Sequence, residues 1–411
     1  MKVENANVIV VNSDTVVVGA GPTGSFAALQ AAKLGAEVSV CEEHTESGAP
    51  SHCTGHISLA GLKQLDLKLP KKIFENEIKS AIFYSPSNYK FPVRFSTPVT
   101  CVINRTQFDQ HLRDKAVEVG VNILYNRRVT SLLVKRNAVI GVEVTTSKKT
   151  EKLRSKLVIN AEGVSSTLLK RANLPSLNSH MTVNGIEAEV DRINDSEIDS
   201  VEVFLTRRFA PGLYAWIVPR KDGTAKIGLG TERGHPLKCL RKFISHNPIA
   251  RQRLKGSHIT QVVYHPISLG GPISQTVHKG MLIVGDAASH VKPTTGGGII
   301  MGLTAAKIAG KVAGSAIQEK NPDTQHLLLY ERLWKKKMGF DMTMMKHLRK
   351  FLNSFSDRKI DQLISMSSQL KLDKSLKGAK DIDFQGSSLI RLIKHPRIIA
   401  MGLYMALTHV F

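Results

Sequence analysis

The sequence predicts an α/β protein, α+β overall, with a parallel-sheet domain, an antiparallel-sheet domain and a helical C-terminal region. Three observations carry this. A βαβ pattern opens the chain, period-two alternation runs from about Leu174 to Ser268, and a helical, strongly basic stretch follows from about Asp323.

The first unit is the clearest. Thr15–Gly19 is a continuous β-branched run ending in glycine, the pattern of a strand buried on both faces. An alanine-rich helix follows over Pro22–Leu34, Gly35 ends it, and Glu37–Cys41 reads as a second strand. Strands are then expected at Ser80–Tyr84 and Tyr89–Phe95. A helix over Thr106–Val119 places Phe108, Leu112 and Ala116 on one face. Val129–Val134, Ala138–Thr145 and Leu157–Asn160 read as a small sheet returning to the first domain. The alternating stretch from Leu174 to Ser268 carries turn signals such as Lys221-Asp222-Gly223 and is read throughout as sheet. Met281–Val284 is again a buried strand, followed by a Gly-rich loop and a helix over Ile299–Ile317.

Length and composition bound the rest. The chain has 411 residues, beyond what one core organises, and its 42% hydrophobic content is that of a folded globular protein. Four scattered cysteines with no Cys-x-x-Cys pair indicate a reducing, cytoplasmic setting. No signal peptide is expected at the N-terminus, and no run is expected to reach the roughly 18 apolar residues that spanning requires. The net charge of +23 predicts attraction to polyanions, either nucleic acid or an anionic membrane surface.

Two glycine constellations carry the chemistry. Gly19, Gly21 and Gly24 lie between strand and helix, where the backbone can approach a pyrophosphate seated on the helix N-terminus. Glu42, 18 residues beyond Gly24, stands where a carboxylate accepts hydrogen bonds from a ribose. The second is Gly280-Met-Leu-Ile-Val-Gly285-Asp286, followed by Pro293 and by Gly296-Gly297-Gly298 opening a helix. An aspartate delivered beside a second helix N-terminus suits a ribityl hydroxyl and the pyrimidine edge of a flavin. Between the two lies Asn160-Ala161-Glu162-Gly163.

This trio resembles the flavin fingerprints of the p-hydroxybenzoate hydroxylase-like superfamily, which has the glutathione reductase-type FAD fold. Two further features are similar to the geranylgeranyl reductases, including the archaeal digeranylgeranylglycerophospholipid reductases. They are Pro211-Gly-Leu-Tyr214-Ala-Trp216-Ile-Val-Pro219, like the family's P-x-x-Y-x-W-x-F-P, and Cys53-Thr54-Gly55, like its Cys-x-Gly. Val218 replaces the signature phenylalanine and Glu162 an aspartate, keeping apolar and acidic character, and the arginine that often follows the latter is missing. The resemblance covers about the first 310 residues.

The resemblance implies FAD as cofactor, contacted by Gly19, Gly21, Pro22, Thr23, Gly24, Glu42, Glu43, Cys53, Gly55, Arg105 and Val129. It adds Glu162, Gly163, Gly285, Asp286, Pro293, Gly296, Gly297, Gly298 and Ile299. Cys53, Tyr214 and Trp216 are implied as catalytic residues, the aromatic pair lining a pocket for an isoprenoid chain. Read without the family, Tyr214 and Trp216 share one face of a strand, an arrangement that core packing also uses. An isolated cysteine usually behaves as a small buried hydrophobe. No metal site is expected at His52, Cys53 and His56, since a catalytic zinc needs three well-placed ligands and the remaining Cys and His residues lack ligand spacing.

The expected division is a discontinuous FAD-binding domain (1–80, 100–173, 270–322), a substrate-binding antiparallel sheet domain (81–99, 174–269) and a basic helical region (323–411). The expected activity is saturation of the C=C bonds of geranylgeranyl chains on archaeal-type membrane lipids or prenyl diphosphates. Hydride from reduced FAD would be matched by a proton from Tyr214 or a water. The alternatives are an FAD-dependent aromatic or quinone monooxygenase on the same scaffold, and a flavin-containing binding protein without turnover. A halogenase's Trp-x-Trp-x-Ile motif is absent.

No second G-x-G-x-x-G exists, so the electron donor is left open among ferredoxin, a deazaflavin and NAD(P)H. Lys335, Lys336, Lys337, Lys346, Arg349, Lys350, Arg358 and Lys359 stand amid apolar residues and read as a basic amphipathic surface for anionic lipid. Ile398–Phe411 is apolar but too short to span. A cytoplasmic monomer peripherally associated with the membrane is expected, with no nucleic-acid partner.

Overall fold

The computed structural model describes residues 11–50, 53–147, 149–376 and 382–386. His52 and the apolar segment 398–411 lie outside the described residues.

Two large sheets organise the chain. The first runs β17-β18-β11-β1-β2-β8, with β10 and β9 branching from β11. Its strands are β1 (Val11–Val18), β2 (Val38–Cys41), β8 (Asn122–Leu124), β9 (Arg128–Lys135), β10 (Ala138–Thr145), β11 (Thr150–Asn160), β17 (Val277–His278) and β18 (Met281–Ile283). β1 pairs in parallel with both β2 and β11, and β11 in parallel with β18. Val17 packs into the cluster formed with α1 (Pro22–Ala32), α3 (Arg105–Val117) and α7 (Ile299–Gln318). Val16 and Val18 face a second cluster with Val142, Val144, Leu168 and Leu169, the leucines coming from α4 (Thr167–Arg171). Both faces are dry, hence the unbroken valine run. The small returning sheet is no separate body, because β11 carries β10 antiparallel along its first half and joins the parallel sheet with its second.

The second sheet runs β16-β12-β15-β14-β13-β5-β6. It comprises β5 (Ser80–Tyr84), β6 (Lys90–Arg94), β12 (Thr182–Val190), β13 (Ser200–Phe204), β14 (Gly212–Pro219), β15 (Ala225–Thr231) and β16 (Ile259–Ser268). Every pair is antiparallel except β5 with β13, which is parallel. One face carries Ile186, Ala188, Phe204, Ile227 and Leu229 under α5 (Pro236–His246) and α6 (Pro248–Arg253). These two helices interrupt a stretch read from sequence as sheet alone. The other face roofs a cavity. A three-stranded sheet, β3 (His56–Ser58), β7 (Thr100–Ile103) and β4 (Phe74–Ile78), with α2 (Leu59–Gln64), bridges the two.

The C-terminal helices pack on this body. α8 (Thr324–Trp334) is pinned where Tyr330 donates to the Ile283 carbonyl at 2.7 Å and the Trp334 indole to Thr276 Oγ1 at 2.9 Å. A π-helical turn over Lys335–Gly339 leads into α9 (Phe340–Asn353), and α10 (Asp357–Gln369) lays Ile364 against Phe91 and Val93 of β6. One helix, α7, is apolar and long enough by composition to cross a membrane, contrary to the sequence expectation. Its apolar length has another use here, since 72% of that window is buried in the protein.

Candidate active site

The loop after β1 forms a tight cradle. Gly19 has φ +92°, and a Cβ there would lie 2.7 Å from the Ala161 carbonyl oxygen; a Cβ on Gly24 would lie 1.9 Å from that of Gly19. Only glycine lets strand, loop and helix close this far. At the α1 N-terminus, Gly21 caps without a side chain, no acidic residue occupies the first turn, and a Cβ on Gly21 would meet nothing within 4 Å. That geometry suits an anion. Glu42, at the end of β2, is buried, and its carboxylate accepts from Ala20 N at 2.7 Å and His44 N at 3.0 Å. Glu43 lines the same space and pairs with Arg128 at 3.3 Å.

A second helix N-terminus lies beside the first, because α7 packs along α1 in the same direction, with Gly302 against Thr23 and Gly310 against Ala27. Gly298 caps the 20-residue α7 without a side-chain bond. Asp286, delivered by the turn after β18, lies so close that a Cβ on Gly298 would stand 2.9 Å from its Oδ1. Two uncapped helix ends, a buried carboxylate at β2 and an aspartate beside α7 fit a dinucleotide with a flavin ring.

A single cavity of about 1500 Å³ joins these groups, above the usual range for one small ligand. It is lined by Gly19, Gly21, Pro22, Thr23, Gly24, Glu42, Glu43, Cys53, Arg105, Val129, Glu162 and Gly163. Gly285, Asp286, Gly296, Gly297, Gly298 and Ile299 line it too, as do Tyr214 and Trp216. Two residues expected on the cofactor do not line it. Gly55 stands behind Cys53, its carbonyl accepting from Ile103 N at 3.0 Å. Pro293 turns its carbonyl to Arg349 Nε at 3.0 Å. Glu162 reaches the wall, yet its carboxylate braces its own loop, accepting from Asn160 Nδ2 at 2.9 Å and Leu168 N at 2.8 Å.

Alternation along β14 turns Tyr214 and Trp216 to the cavity, their rings edge-to-face at 5.9 Å, while Ala215 and Ile217 face the core under α5. The Tyr214 hydroxyl donates to the Thr295 carbonyl at 2.7 Å, and burial pushes its pKa up to about 12. Cys53 Sγ accepts from Gly55 N at 3.4 Å. Arg105 opens α3 beside that sulfur and forks onto Asp109 at 3.0–3.2 Å. Burial opposes the Arg105 charge, but Asp109 and Cys53 outweigh it and hold the guanidinium protonated. His56 is held by Thr100 Oγ1 at 2.7 Å, and burial with Lys292 nearby pushes its pKa down to about 4.

Two wall residues escaped the sequence reading. Glu187 on β12 is a buried carboxyl accepting from Thr54 Oγ1. In sequence it is one of two alternating acids, Glu187 and Glu189, set among apolar residues, a pattern that does not single out a buried acid. Arg349 was grouped with the solvated cations of the basic face. The structure buries it instead, with donors on the Pro293 and Thr294 carbonyls, because that turn of α9 lies over the loop leading to Gly296.

Known proteins match this architecture. Residues 12–235 match the family model of the FAD binding domain. The chain is 30% identical over 394 residues to digeranylgeranylglycerophospholipid reductase 2 of Methanopyrus kandleri, covering 93% of this chain and 98% of that one. It is 32% identical to digeranylgeranylglycerophospholipid reductase 1 of Methanococcoides burtonii, covering 92% and 90%. Among solved structures, a geranylgeranyl bacteriochlorophyll reductase-like protein of Thermoplasma acidophilum superposes with a TM-score of 0.85 at 26% identity, covering 96% and 99%. A flavin-dependent brominase shares the fold, with a TM-score of 0.73 at 17% identity over 92% and 97%. FAD is the cofactor and the protein is an FAD-dependent oxidoreductase. The chain belongs to the digeranylgeranylglycerophospholipid reductase family of FAD-binding proteins.

Proposed function

We propose that this protein saturates the C=C bonds of geranylgeranyl chains carried by archaeal-type membrane lipids or prenyl diphosphates. The observation that carries the reading is the size and lining of the cavity. One cavity of about 1500 Å³ takes in the pyrophosphate cradle, Tyr214 and Trp216, and the apolar side chains of Phe83, Val203, Leu205, Leu352, Ile360 and Leu363. A flexible hydrocarbon fits such a lining, whereas a small aromatic would leave most of the space empty. The fold-level likeness to a brominase adds nothing for an oxygen-using reaction.

In this reading residues 1–80, 100–173 and 270–322 hold the cofactor, and the sheet from 81–99 and 174–269 presents the chain. The α1 N-terminus and Gly19–Gly24 hold the pyrophosphate, Glu42 the ribose, and Asp286 with Gly296–Gly298 the flavin end. Reduced FAD supplies hydride. Trp216 and Tyr214 orient the prenyl chain and keep water out. Cys53 and Arg105 shape the floor opposite them. An external donor, whether reduced ferredoxin, a deazaflavin or NAD(P)H, replenishes the electrons. Peripheral contact with an anionic membrane is favoured by exposed Phe340 and Phe351 beside exposed Lys336 and Lys350.

The test is anaerobic turnover of a geranylgeranylated phospholipid with chemically reduced enzyme, read by mass spectrometry. A gain of two hydrogens per double bond is expected. A product gaining one oxygen atom, formed only in air, overturns the reading.

A further inference from the structure

Saturating a double bond adds one hydride and one proton, and the proton must come from a group held dry beside the bond. We propose that Glu187 is that group: its carboxyl, carried neutral in the cavity wall between Thr54 and Trp216, protonates the alkene. This rests on the prenyl-reductase reading above.

Placement comes first. Along β12, Gly185 and Glu187 turn to the cavity while Ile186 and Ala188 turn to the core. Glu187 is 7% exposed, and Thr54 Oγ1 donates to its Oε2. The indole N–H of Trp216 is buried without a hydrogen bond of normal geometry, and Glu187 is the carboxyl it faces. The acid therefore sits between the Cys53–Gly55 loop and the aromatic pair. The obvious rival, the Tyr214 phenol, has committed its proton to Thr295.

Charge counting then fixes its form. Beside Glu187 lie Lys226 on β15 and Glu189 on β12, and Arg220 after β14 and Glu75 on β4 join that pair. Arg220 meets Glu189 at 2.5 Å and Glu75 at 3.2 Å; Lys226 lies 3.6 Å from Glu75 and 3.9 Å from Glu189, and donates to the Thr54 carbonyl at 3.3 Å. His265 on β16 also faces the cavity, but leans to Asp286 at 3.7 Å. The two cations and two carboxylates cancel, leaving Glu187 as the surplus acid. A buried acid whose nearest cation is shared with two other carboxylates is held most cheaply as the neutral carboxyl. Burial raises Glu187 above its ordinary value, and Lys226 with the hydrogen bonds of Thr54 and Trp216 only partly offset this.

In the step, the Glu187 O–H bond breaks and its electron pair stays on the carboxylate. The proton forms a C–H bond with one alkene carbon using the π pair, and the hydride that the activity already supplies forms the second. The carboxylate regains a proton from solvent along Lys226 and Glu189, the latter 31% exposed.

The test has two arms. In substrate-free protein, infrared difference spectra across a pH titration should show a neutral carboxyl that persists above the pH where ordinary carboxylates have ionised, and that disappears in Glu187→Gln. In turnover, Glu187→Gln should lose about 100- to 10,000-fold in kcat with FAD content and melting temperature retained. The wild-type rate should fall as pH rises through the Glu187 titration, a limb missing in Glu187→Gln and restored, displaced, in Glu187→Asp. A carboxyl that titrates in the ordinary range, or a Glu187→Gln enzyme with wild-type kcat and pH profile, overturns the proposal. If wild type reduces no prenyl lipid the functional reading fails by itself, while the infrared arm still decides whether Glu187 holds a proton.

Discussion

The Tyr214 phenol gives its one proton to the main-chain carbonyl of Thr295, 2.7 Å away, in the loop that leads to Gly296–Gly298. The hydroxyl thus ties the aromatic strand to the second helix N-terminus, a positioning role. Its pKa of about 12 keeps the phenol protonated throughout the working range.

Tyr214→Phe should therefore cost little. One neutral hydrogen bond contributes about 1 kcal/mol, so kcat/KM is expected to fall by about tenfold or less, with the ring still packed on Trp216. A loss near 1,000-fold in steady-state turnover would assign the phenol proton to the chemistry.

Gly21 and Gly24 separate folding from cofactor binding. A Cβ on Gly21 meets nothing in the protein within 4 Å, while one on Gly24 lands 1.9 Å from the Gly19 oxygen. Gly21→Ala should leave the apoprotein's stability unchanged but lower flavin affinity at least about tenfold, by filling the space at the helix N-terminus. Gly24→Ala should lose flavin and also about 1–3 kcal/mol of stability, since backbone must move. Flavin absorbance of the purified proteins and apoprotein melting curves distinguish the two.

His290 makes stability depend on pH. It is fully buried beside Trp334, with both ring nitrogens unpaired, and burial pushes its pKa from 6.5 down to about 3. Above pH 6.5 the imidazole is neutral whether the chain is folded or not, and the stability is fully present. Below it the unfolded chain binds a proton that the folded protein refuses. Stability should then fall with pH, by about 2 kcal/mol between pH 6.5 and about 5. His290→Phe keeps a flat ring against Trp334 and should flatten that slope in urea titrations at several pH values.

How much of this was legible in sequence depends on whether local pattern or distant contact decided the outcome. Thr15–Val18 announced a strand dry on both faces, and alternation put Tyr214 and Trp216 on one side, because in both cases the period is local. Helix α5 was also readable, from Pro236 at its start and Leu237, Leu240, Phe243 and Ile244 at helical spacing. It was lost only because the surrounding alternation was extended over it. Glu187 and Arg349 were not readable. A carboxylate on a strand and an arginine among lysines look solvated until the Cys53–Gly55 loop and the 293–295 loop fold over them. The parallel pairing of β5 with β13 likewise joins segments more than a hundred residues apart, beyond any local signal.

The basic C-terminal face tests the membrane reading. With Arg349 taken into the cavity wall, the cations left to meet lipid include Lys336 and Lys350, both exposed, beside the half-exposed rings of Phe340 and Phe351. Each lysine near an anionic surface contributes about 1 kcal/mol, so replacing both with Gln should weaken binding to phosphatidylglycerol-containing vesicles by about 30-fold. Phe351→Ser should weaken binding to anionic and neutral vesicles alike, since its contribution is apolar transfer. Turnover of a short-chain, detergent-dispersed substrate should be unaffected in both variants. Co-sedimentation at two salt concentrations separates the parts: the lysine contribution shrinks as salt rises and the phenylalanine contribution does not. Equal binding of wild type and the double Gln variant would remove this face from membrane contact.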